Sequence, residues 1–307
     1  MNIIRKLFYT EHTWNVGILN NFAQESIISQ DIHKQKQNIF WIGPKNTRDF
    51  YADPMVTEYF GKPILFIEEW IDDEEKGIIS YIDILDTIEK KNHNPITKHA
   101  LNLPTHLSFP VPFEYNDKLY MVPENYQSNS IKIYEAGNTP DNWSESGVLM
   151  ENFPGVDTVI FEYNSVWWMF STKFDYARNG DDRQHLYIWY SDSPLQGWVE
   201  HPMSPIHYDE SVARGAGAPF VVQNKLYRPA QDCRCGYGKG LFLYEITELT
   251  KETFSEKVFK HISPLPEQPD ALHTYSCCNM ISVIDGIKGR YDIRKPFNYL
   301  KQKYFKK

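Results

Sequence analysis

Long apolar segments are missing from this chain of 307 residues. Residues 1–9 have two positive charges but lack an apolar stretch long enough for a secretory signal before Glu11. No run approaches the roughly 20 apolar residues that span a bilayer. We therefore expect a cytoplasmic protein, with peripheral contact at the inner membrane as the alternative location.

Cysteine is scarce, and its spacing does not suit the common zinc sites. The four cysteines are Cys233, Cys235, Cys277 and Cys278, and neither pair has a two-residue spacer. A cluster of these thiols with His273 is the alternative, but small buried thiols are the usual state of free cysteine. We expect reduced thiols, no metal and no cofactor.

Helical periodicity is also scarce, whereas residues that suit strands are abundant. The best helical candidates are residues 17–29 and a short turn near 249–256. Phe, Trp and Tyr together make up 15% of the chain, and aromatic residues fit pleated, half-buried surfaces. The composition indicates an all-β protein.

Positive charge is in deficit, except at the C-terminus. The 32 basic and 40 acidic residues give a formal charge of −8, which disfavours nucleic acid as a partner. Residues 288–307 reverse this balance, with basic side chains interleaved with aromatic ones. Such a tail can lie on an anionic membrane. A solvated or packed tail is the alternative.

One pattern recurs five times: an anchor residue, an apolar run, a turn and a second apolar run. Steps of 56, 48, 61 and 56 residues separate the anchors, which are Asp53, Phe109, Asp157, Ala218 and Thr274. Each unit resembles a β-hairpin, and the period fits a four-stranded propeller blade with its loops. We predict an all-β fold, a five-bladed β-propeller.

A polar position repeats within these units. Glu68 lies 15 residues after Asp53, and Glu124 lies 15 residues after Phe109. The alternative fold, a β-sandwich of unrelated hairpins, gives no reason for such a repeat. The repeat therefore favours the propeller.

Carboxylates from different blades are expected to meet at the mouth of the central channel. Asp53 and Asp157 occupy equivalent positions in the first and third units, and Glu68 and Glu124 end neighbouring strands. Burial and mutual repulsion would raise one pKa while another group stays ionised. Cleavage of a glycosidic bond needs such a pair. The alternative is that each aspartate only caps a turn.

Other polar and aromatic residues near the anchors indicate a polyhydroxyl or anionic ligand. Arg214 precedes two glycines, and arginine offers a bidentate fork. Aromatic rings can stack on the apolar faces of sugars, although most aromatic residues in blades belong to the core. The predicted substrate-binding residues are Glu68, His106, Trp168, Arg214, Arg228, Gln231, Asp232 and His273.

These motifs resemble the N-terminal domain of plant glucosamine inositolphosphorylceramide transferases and its bacterial relatives, which accompany polysaccharide-biosynthesis genes. The resemblance covers about residues 45–287. It is carried by the segments 106–110, 121–124, 156–157, 188–191, 193–198, 213–215, 219–220, 226–228, 231–233 and 237–238. That domain is in turn similar to the five-bladed furanosidase-type glycosidases.

The resemblance implies roles for individual carboxylates. Asp53 matches the blade-1 aspartate that acts as base or nucleophile, and Asp157 matches the aspartate that orients substrate and tunes a neighbouring pKa. Glu124 is the first choice for the general acid, followed by Glu68. Glu210 is a further candidate on a loop.

The predicted function is that of a carbohydrate-active propeller in surface polysaccharide or glycolipid biosynthesis, cleaving or transferring a sugar. A glycan or lipid-linked sugar is the expected ligand, and a glycosyltransferase is the expected protein partner. The alternative is a non-catalytic glycan-binding or scaffolding partner of such a transferase. Residues 236–240 are glycine-rich but follow no βα unit, so they are a poor nucleotide-binding motif.

The predicted organisation has three parts. Residues 1–44 form an N-terminal segment that closes or flanks the propeller, residues 45–287 form the five blades, and residues 288–307 form the basic aromatic tail.

Overall fold

The computed structural model describes residues 9–10, 13–176, 182–206 and 213–291. Glu210 and most of the basic tail, residues 292–307, lie outside the described residues. Within these ranges, no helix combines the length and the apolar content needed to cross a bilayer.

The N-terminal region contains three strands and little helix. The strands are β1 (Tyr9–Thr10), β2 (Trp14–Asn20) and β3 (Ile39–Ile42). Between β2 and β3 lie α1 (Gln24–Ser29) and a 3-10 helix (Ile32–Asn38). The helix expected over residues 17–29 is therefore wrong at its start, because residues 17–20 form a strand that pairs on both sides.

The first two blades follow in sequence, each as one antiparallel sheet. Blade 1 contains β4 (Phe50–Tyr59), β5 (Lys62–Ile71), β6 (Lys76–Asp83) and β7 (Lys98–Leu101), with α2 (Ile84–Glu89) between its last two strands. Blade 2 contains β8 (Ser108–Tyr115), β9 (Lys118–Glu124), β10 (Ser130–Ala136) and β11 (Trp143–Glu151), with a 3-10 helix (Tyr126–Ser128) after β9.

The next two blades repeat the arrangement. Blade 3 contains β12 (Gly155–Tyr163), β13 (Val166–Tyr176), β14 (Asp182–Ser191) and β15 (Val199–Glu200). Blade 4 contains β16 (Phe220–Val222), β17 (Lys225–Gln231), β18 (Leu241–Leu249) and β19 (Phe254–Ile262).

The fifth blade joins the two ends of the chain. Its inner strands, β20 (Tyr275–Cys278) and β21 (Ile281–Ile287), are followed outward by β2 and β3 in the order β20-β21-β2-β3. A separate ribbon pairs β1 with β22 (Arg290–Tyr291). The fold is thus a five-bladed β-propeller whose circle is closed by N-terminal strands.

The inner strands of the first three blades share one local distortion. Each pairing register shifts at the anchor, between Ala52 and Met55 in blade 1 and at the matching places in blades 2 and 3. The anchors Asp53, Phe109 and Asp157 have left-handed φ angles of 49°, 45° and 50°. Non-glycine residues adopt this conformation only where the surroundings enforce it. The bulge therefore turns each anchor residue toward the neighbouring blade.

The anchors of the last two units differ from the sequence alignment. Ala218 and Thr274 do not have the left-handed φ. In blade 5, Ala271 pairs with Ile287 and Tyr275 with Ile284, so the three residues 272–274 lie opposite the two residues 285–286, and Tyr275 corresponds to Met55 as the first pair after the irregularity. By register, His273 is the counterpart of Asp53, one residue before the expected anchor.

Candidate functional site

Carboxylates from four blades meet around the channel, and three of them link neighbouring blades. The backbone N–H of Asp53 donates to Asp285 Oδ2 at 3.1 Å, and that of Phe109 donates to Asp53 Oδ2 at 3.1 Å. The N–H of Asp157 donates to Glu124 Oε2 at 3.2 Å. Each bulge therefore points its amide at a carboxylate of the preceding blade. The carboxylate ring comprises Asp53, Glu68, Glu124, Asp157 and Asp285, all buried.

Arg214 is the buried cation on the blade-4 side of the ring. Its Nε and one terminal nitrogen donate to the two oxygens of Asp157 at 2.5 and 3.0 Å, a bidentate pair. The same terminal nitrogen lies 3.9 Å from Glu124 Oε2. Gln231 adds an amide donor to Asp157 at 3.4 Å and is held by the carbonyl of Gly215 at 2.8 Å.

His273 balances the charge on the opposite side. Its Nδ1 lies 2.6 Å from Asp285 Oδ2, and its Nε2 lies 3.7 Å from Asp53 Oδ1. Thr274 Oγ1 donates to Asp53 Oδ1 at 2.9 Å. Burial opposes a charge on His273, but Asp285 and then Asp53 outweigh it, and the pKa of the imidazole is raised.

The same three groups have the spacing of a metal site but are engaged with one another. Asp53, His273 and Asp285 each place one ligand atom within 4.8 Å of the others. However, the histidine nitrogen contacts Asp285 directly, and the Asp53 oxygens accept hydrogen bonds from Phe109 and Thr274. These contacts make the three groups a hydrogen-bonded triad.

Two aromatic rings stand over this triad. Trp14 of β2 stacks on the His273 ring at 3.8 Å, with an angle of 16° between the planes. Tyr237 meets the His273 ring edge to face at 5.1 Å and lies 5.0 Å from the guanidinium carbon of Arg214. Trp14 is buried, whereas Tyr237 is 47% exposed. Tyr237 is thus the aromatic residue of this group that reaches solvent.

The acidic groups differ in their affinity for protons. Burial, followed by repulsion from Asp285 and Asp157, raises the pKa of Asp53 to about 6, although His273 opposes this rise. Burial, followed by the charge of Asp157, raises the pKa of Glu124 to about 8, although Arg214 opposes it. At neutral pH Asp53 is largely ionised while Glu124 is largely protonated.

Glu68 is a second neutral carboxyl, next to Asp53. Burial and then the charge of Asp53 raise the pKa of Glu68 well above its usual range. His106 Nε2 lies 3.8 Å from Glu68, but its Nδ1 accepts the N–H of Gly77 at 2.8 Å, and burial lowers the imidazole pKa. A neutral His106 provides no cation to ionise Glu68. Glu68 is therefore placed to donate a hydrogen bond to Asp53.

Eight of the predicted site residues converge: Asp53, Glu68, His106, Glu124, Asp157, Arg214, Gln231 and His273. Three predicted binding residues, namely Trp168, Arg228 and Asp232, do not join them, which corrects the sequence prediction.

The three excluded residues have other partners. Arg228 forms a buried ion pair with Glu256 at 2.6 Å. Asp232 pairs with Arg234 and His261 at 2.7 and 2.9 Å. Along β17, successive side chains alternate between the two faces of the sheet, so Arg228 points away from the face on which Gln231 lies. Asp232 follows the end of this strand. Trp168 belongs to the core between blades.

Asp285 and Trp14 belong to the site but were not predicted. Asp285 lies in the inner hairpin of blade 5, close to the positions of Glu68 and Glu124 in theirs, so a polar residue in the fifth repeat was an available clue. No sequence pattern indicated Trp14, because β2 reaches the site only when it closes the propeller by pairing with β21.

Comparison with known sequences identifies the family. Residues 45–265 match the model of the N-terminal region of glucosamine inositolphosphorylceramide transferase 1. The chain belongs to this family. One relative, glucosamine inositolphosphorylceramide transferase 1 of Oryza sativa subsp. japonica, is 39% identical over 160 residues, which cover 51% of this chain and 21% of the relative. The homologue from Arabidopsis thaliana is 36% identical over 162 residues, covering 51% and 20%. The matched region thus spans about a fifth of these relatives.

Solved structures with the same fold are glycoside hydrolases. The catalytic domain of a GH62 α-L-arabinofuranosidase from Coprinopsis cinerea has a TM-score of 0.51 at 14% identity, covering 78% of this chain and 77% of that one. A family 117 glycoside hydrolase from Zobellia galactanivorans has a TM-score of 0.52 at 12% identity, covering 91% of both chains. At these identities the likeness shows the fold alone.

Proposed function

We propose that this protein is a carbohydrate-active enzyme of glycolipid or surface-polysaccharide biosynthesis, which cleaves or transfers a sugar at the carboxylate ring. The observation that carries the proposal is that Asp53 and Glu124 are buried in one ring of carboxylates, in surroundings that raise the pKa of Asp53 to about 6 and that of Glu124 to about 8. Glycosidic bond cleavage requires a carboxylate base or nucleophile together with a neutral acid. Both are supplied by this chain.

Asp53 is the base or nucleophile in this proposal. Phe109 N–H and Thr274 O–H fix its two oxygens, so the carboxylate is held in one orientation. Glu124 protonates the oxygen of the leaving group. Asp157, paired with Arg214, lies beside Glu124 and raises the pKa of the Glu124 carboxyl.

An amino sugar is the ligand class that the charge of the site favours. Even with Glu68 and Glu124 protonated, the three aspartates of the ring outnumber the cations Arg214 and His273, so the ring can supply uncompensated negative charge to a protonated amine. The relatives are named as transferases of glucosamine, a sugar with such an amine. We also propose a lipid-linked glycan as the substrate and a glycosyltransferase as the protein partner. The proposed location is the cytoplasmic side of the inner membrane, where the basic tail would hold the protein.

A second function, glycan binding without catalysis, is favoured by one specific observation. The carboxylates of Asp53, Glu124 and Asp285 accept backbone N–H groups from neighbouring blades, so they also hold the propeller together. In that case the protein presents a glycan to a partner glycosyltransferase.

Substitution of Asp53 distinguishes the two functions. Asn at this position accepts the Phe109 N–H through its oxygen and donates to Thr274, so that the fold is kept while the base is lost. We expect Asp53→Asn to lower kcat by about 100-fold or more with aryl glycosides or lipid-linked amino sugars, with little change in Kd. The measurement is steady-state turnover together with calorimetric binding.

The matched control is Asp192→Asn, because the Asp192 side chain is 92% exposed and pairs only with Lys251 at the surface. Activity should be unchanged in this variant. Turnover that persists in Asp53→Asn excludes Asp53 from the mechanism. Binding without turnover in the wild type supports the second function.

A further inference from the structure

The glycine-rich loop at residues 236–240 has no nucleotide-binding context, yet it delivers a side chain to the site. Gly236, Gly238 and Gly240 have φ angles of 122°, 62° and 154°, in the region that favours glycine. A Cβ at Gly238 would lie 2.9 Å from His273 Cβ and 3.0 Å from the Trp14 ring. The glycines let the backbone pass this close, with Tyr237 at the top of the loop.

The loop is anchored on both sides of Tyr237, and before it the Gly236 N–H donates to the Cys233 carbonyl at 3.1 Å. Lys239 N–H donates to the Asp232 carbonyl at 2.8 Å, and Leu272 N–H donates to the Gly238 carbonyl at 2.8 Å. The ammonium of Lys239 also donates to the carbonyl of Asp270 at 2.7 Å. These bonds tie the loop of blade 4 to the entry of blade 5, so the ring of Tyr237 is held in a defined position.

Tyr237 combines an exposed ring with a phenol that lies near enough to the carboxylates to feel their charge. The ring centroid lies 5.0 Å from the Arg214 guanidinium carbon, and the residue is 47% exposed, so part of the ring is accessible to a ligand. Desolvation of the hydroxyl end, followed by the charges of Asp53, Asp157 and Glu124, raises the pKa of the phenol well above its usual range. The hydroxyl therefore stays protonated and can donate a hydrogen bond.

A purely structural role explains these features less well. A tyrosine that only packs would bury its ring, as Tyr275 and Tyr227 do in the same blades. An accessible aromatic ring beside buried acids suits a sugar, because the apolar face of a sugar ring can stack on it.

We propose that Tyr237 is the stacking platform of this site, binding the apolar face of a sugar ring while its hydroxyl holds a ring substituent toward the carboxylates. Trp14 supports the platform by fixing His273 beneath it. The contact with the Arg214 charge helps to hold the Tyr237 ring in place for the ligand. This assignment rests on the proposed carbohydrate function and gives that site its specificity residue.

The test is binding of the methyl glycosides of glucosamine, N-acetylglucosamine and glucose to the full chain, by calorimetry and by saturation-transfer NMR. We expect Tyr237→Ala to weaken the Kd of the bound glycoside at least tenfold. Tyr237→Phe keeps the stacking face, so its Kd should lie between those of the wild type and Tyr237→Ala. Saturation transfer should be strongest for the C–H protons of one sugar face.

Phe60→Ala is the control, since Phe60 is an exposed aromatic residue, at 74%, in the β4–β5 turn away from the carboxylate ring. Urea unfolding of each variant shows whether the fold is kept. If Tyr237→Ala binds as tightly as the wild type, the platform is wrong even when Asp53→Asn confirms the catalytic site. If the wild type binds none of the glycosides, the platform is also wrong, while turnover of other substrates would still support the enzyme.

Discussion

Among single residues, Asp53 and Glu124 have similar intrinsic pKa values but different surroundings, and these surroundings give them different chemical properties. Asp53 accepts two fixed hydrogen bonds and lies near His273, so that its pKa rises only to about 6. Glu124 receives one weak amide bond and lies beside the charge of Asp157, and its pKa rises to about 8. The environment of each acid thus separates a base from an acid at neutral pH.

This separation predicts how stability depends on pH. The folded pKa of Glu124 is above its value in the unfolded chain, so the folded state binds more protons between pH 4.5 and about 8. Stability should therefore fall as the pH rises through this window, by up to about 1.4 kcal/mol per pH unit for each such group. Raised pKa values of Glu68 and His273 act in the same direction.

Urea unfolding between pH 5 and pH 9 measures this slope. Glu124→Gln, which cannot ionise, should flatten it and become more stable than the wild type at pH 9. The exposed pair variant Asp192→Asn should keep the wild-type slope. A slope that is the same in Glu124→Gln and in the wild type would show that Glu124 does not titrate in this range.

At the scale of elements, backbone conformation decides what the inner strands present to the channel. Bulges in blades 1 to 3 turn Asp53, Phe109 and Asp157 toward the neighbouring blade. Blades 4 and 5 are joined by a backbone–backbone hydrogen bond instead of a carboxylate, because Tyr275 N–H donates to the Ala216 carbonyl at 2.8 Å. Gly217 sits at this junction with a φ of 146°.

Gly217→Ala should damage this junction. A Cβ there would overlap the carbonyl oxygen of Tyr275, and the φ is one that L residues rarely adopt. We expect a loss of about 3 kcal/mol or more in the free energy of unfolding. Gly147→Ala is the matched control, since its Cβ would meet only Ile133 at an ordinary 3.8 Å. Equal urea midpoints for the two variants would contradict the role of the junction.

At the scale of the whole molecule, closure of the circle depends on strands from both ends of the chain. β2 lies between β21 and β3, and it carries Trp14 onto His273. Without β2 and β3, blade 5 retains only its two inner strands, and a two-stranded hairpin is marginal in water. The N-terminal strands therefore contribute to both the fold and the site.

Truncation tests this closure. A chain that begins at Thr13 keeps β2 and β3 and should unfold cooperatively at nearly the wild-type urea concentration. A chain that begins at Pro44 lacks both strands, and we expect it to lose cooperative unfolding and the near-UV signal of packed aromatic residues. If both chains share one midpoint, closure by β2 is not needed for stability.

The sequence alone determined the class of fold and much of the site. The repeat of anchor, turn and apolar runs is local information, and its period predicted five blades, which the structure confirms. The equivalence of Asp53 and Asp157 followed from the same repeat. Strand alternation and register could also be read locally, because a residue and its neighbour in the hairpin are close in the chain.

Only the tertiary structure decided which residues meet across blades. Asp285 and Trp14 enter the site through pairings between strands more than 200 residues apart, which no local pattern records. Arg228 and Asp232 were expected there because they flank Gln231, but the face of a strand is set by the sheet packed against it. The protonation of the carboxyl groups also depends on the tertiary structure, because their burial and their neighbouring charges exist only once the propeller has closed.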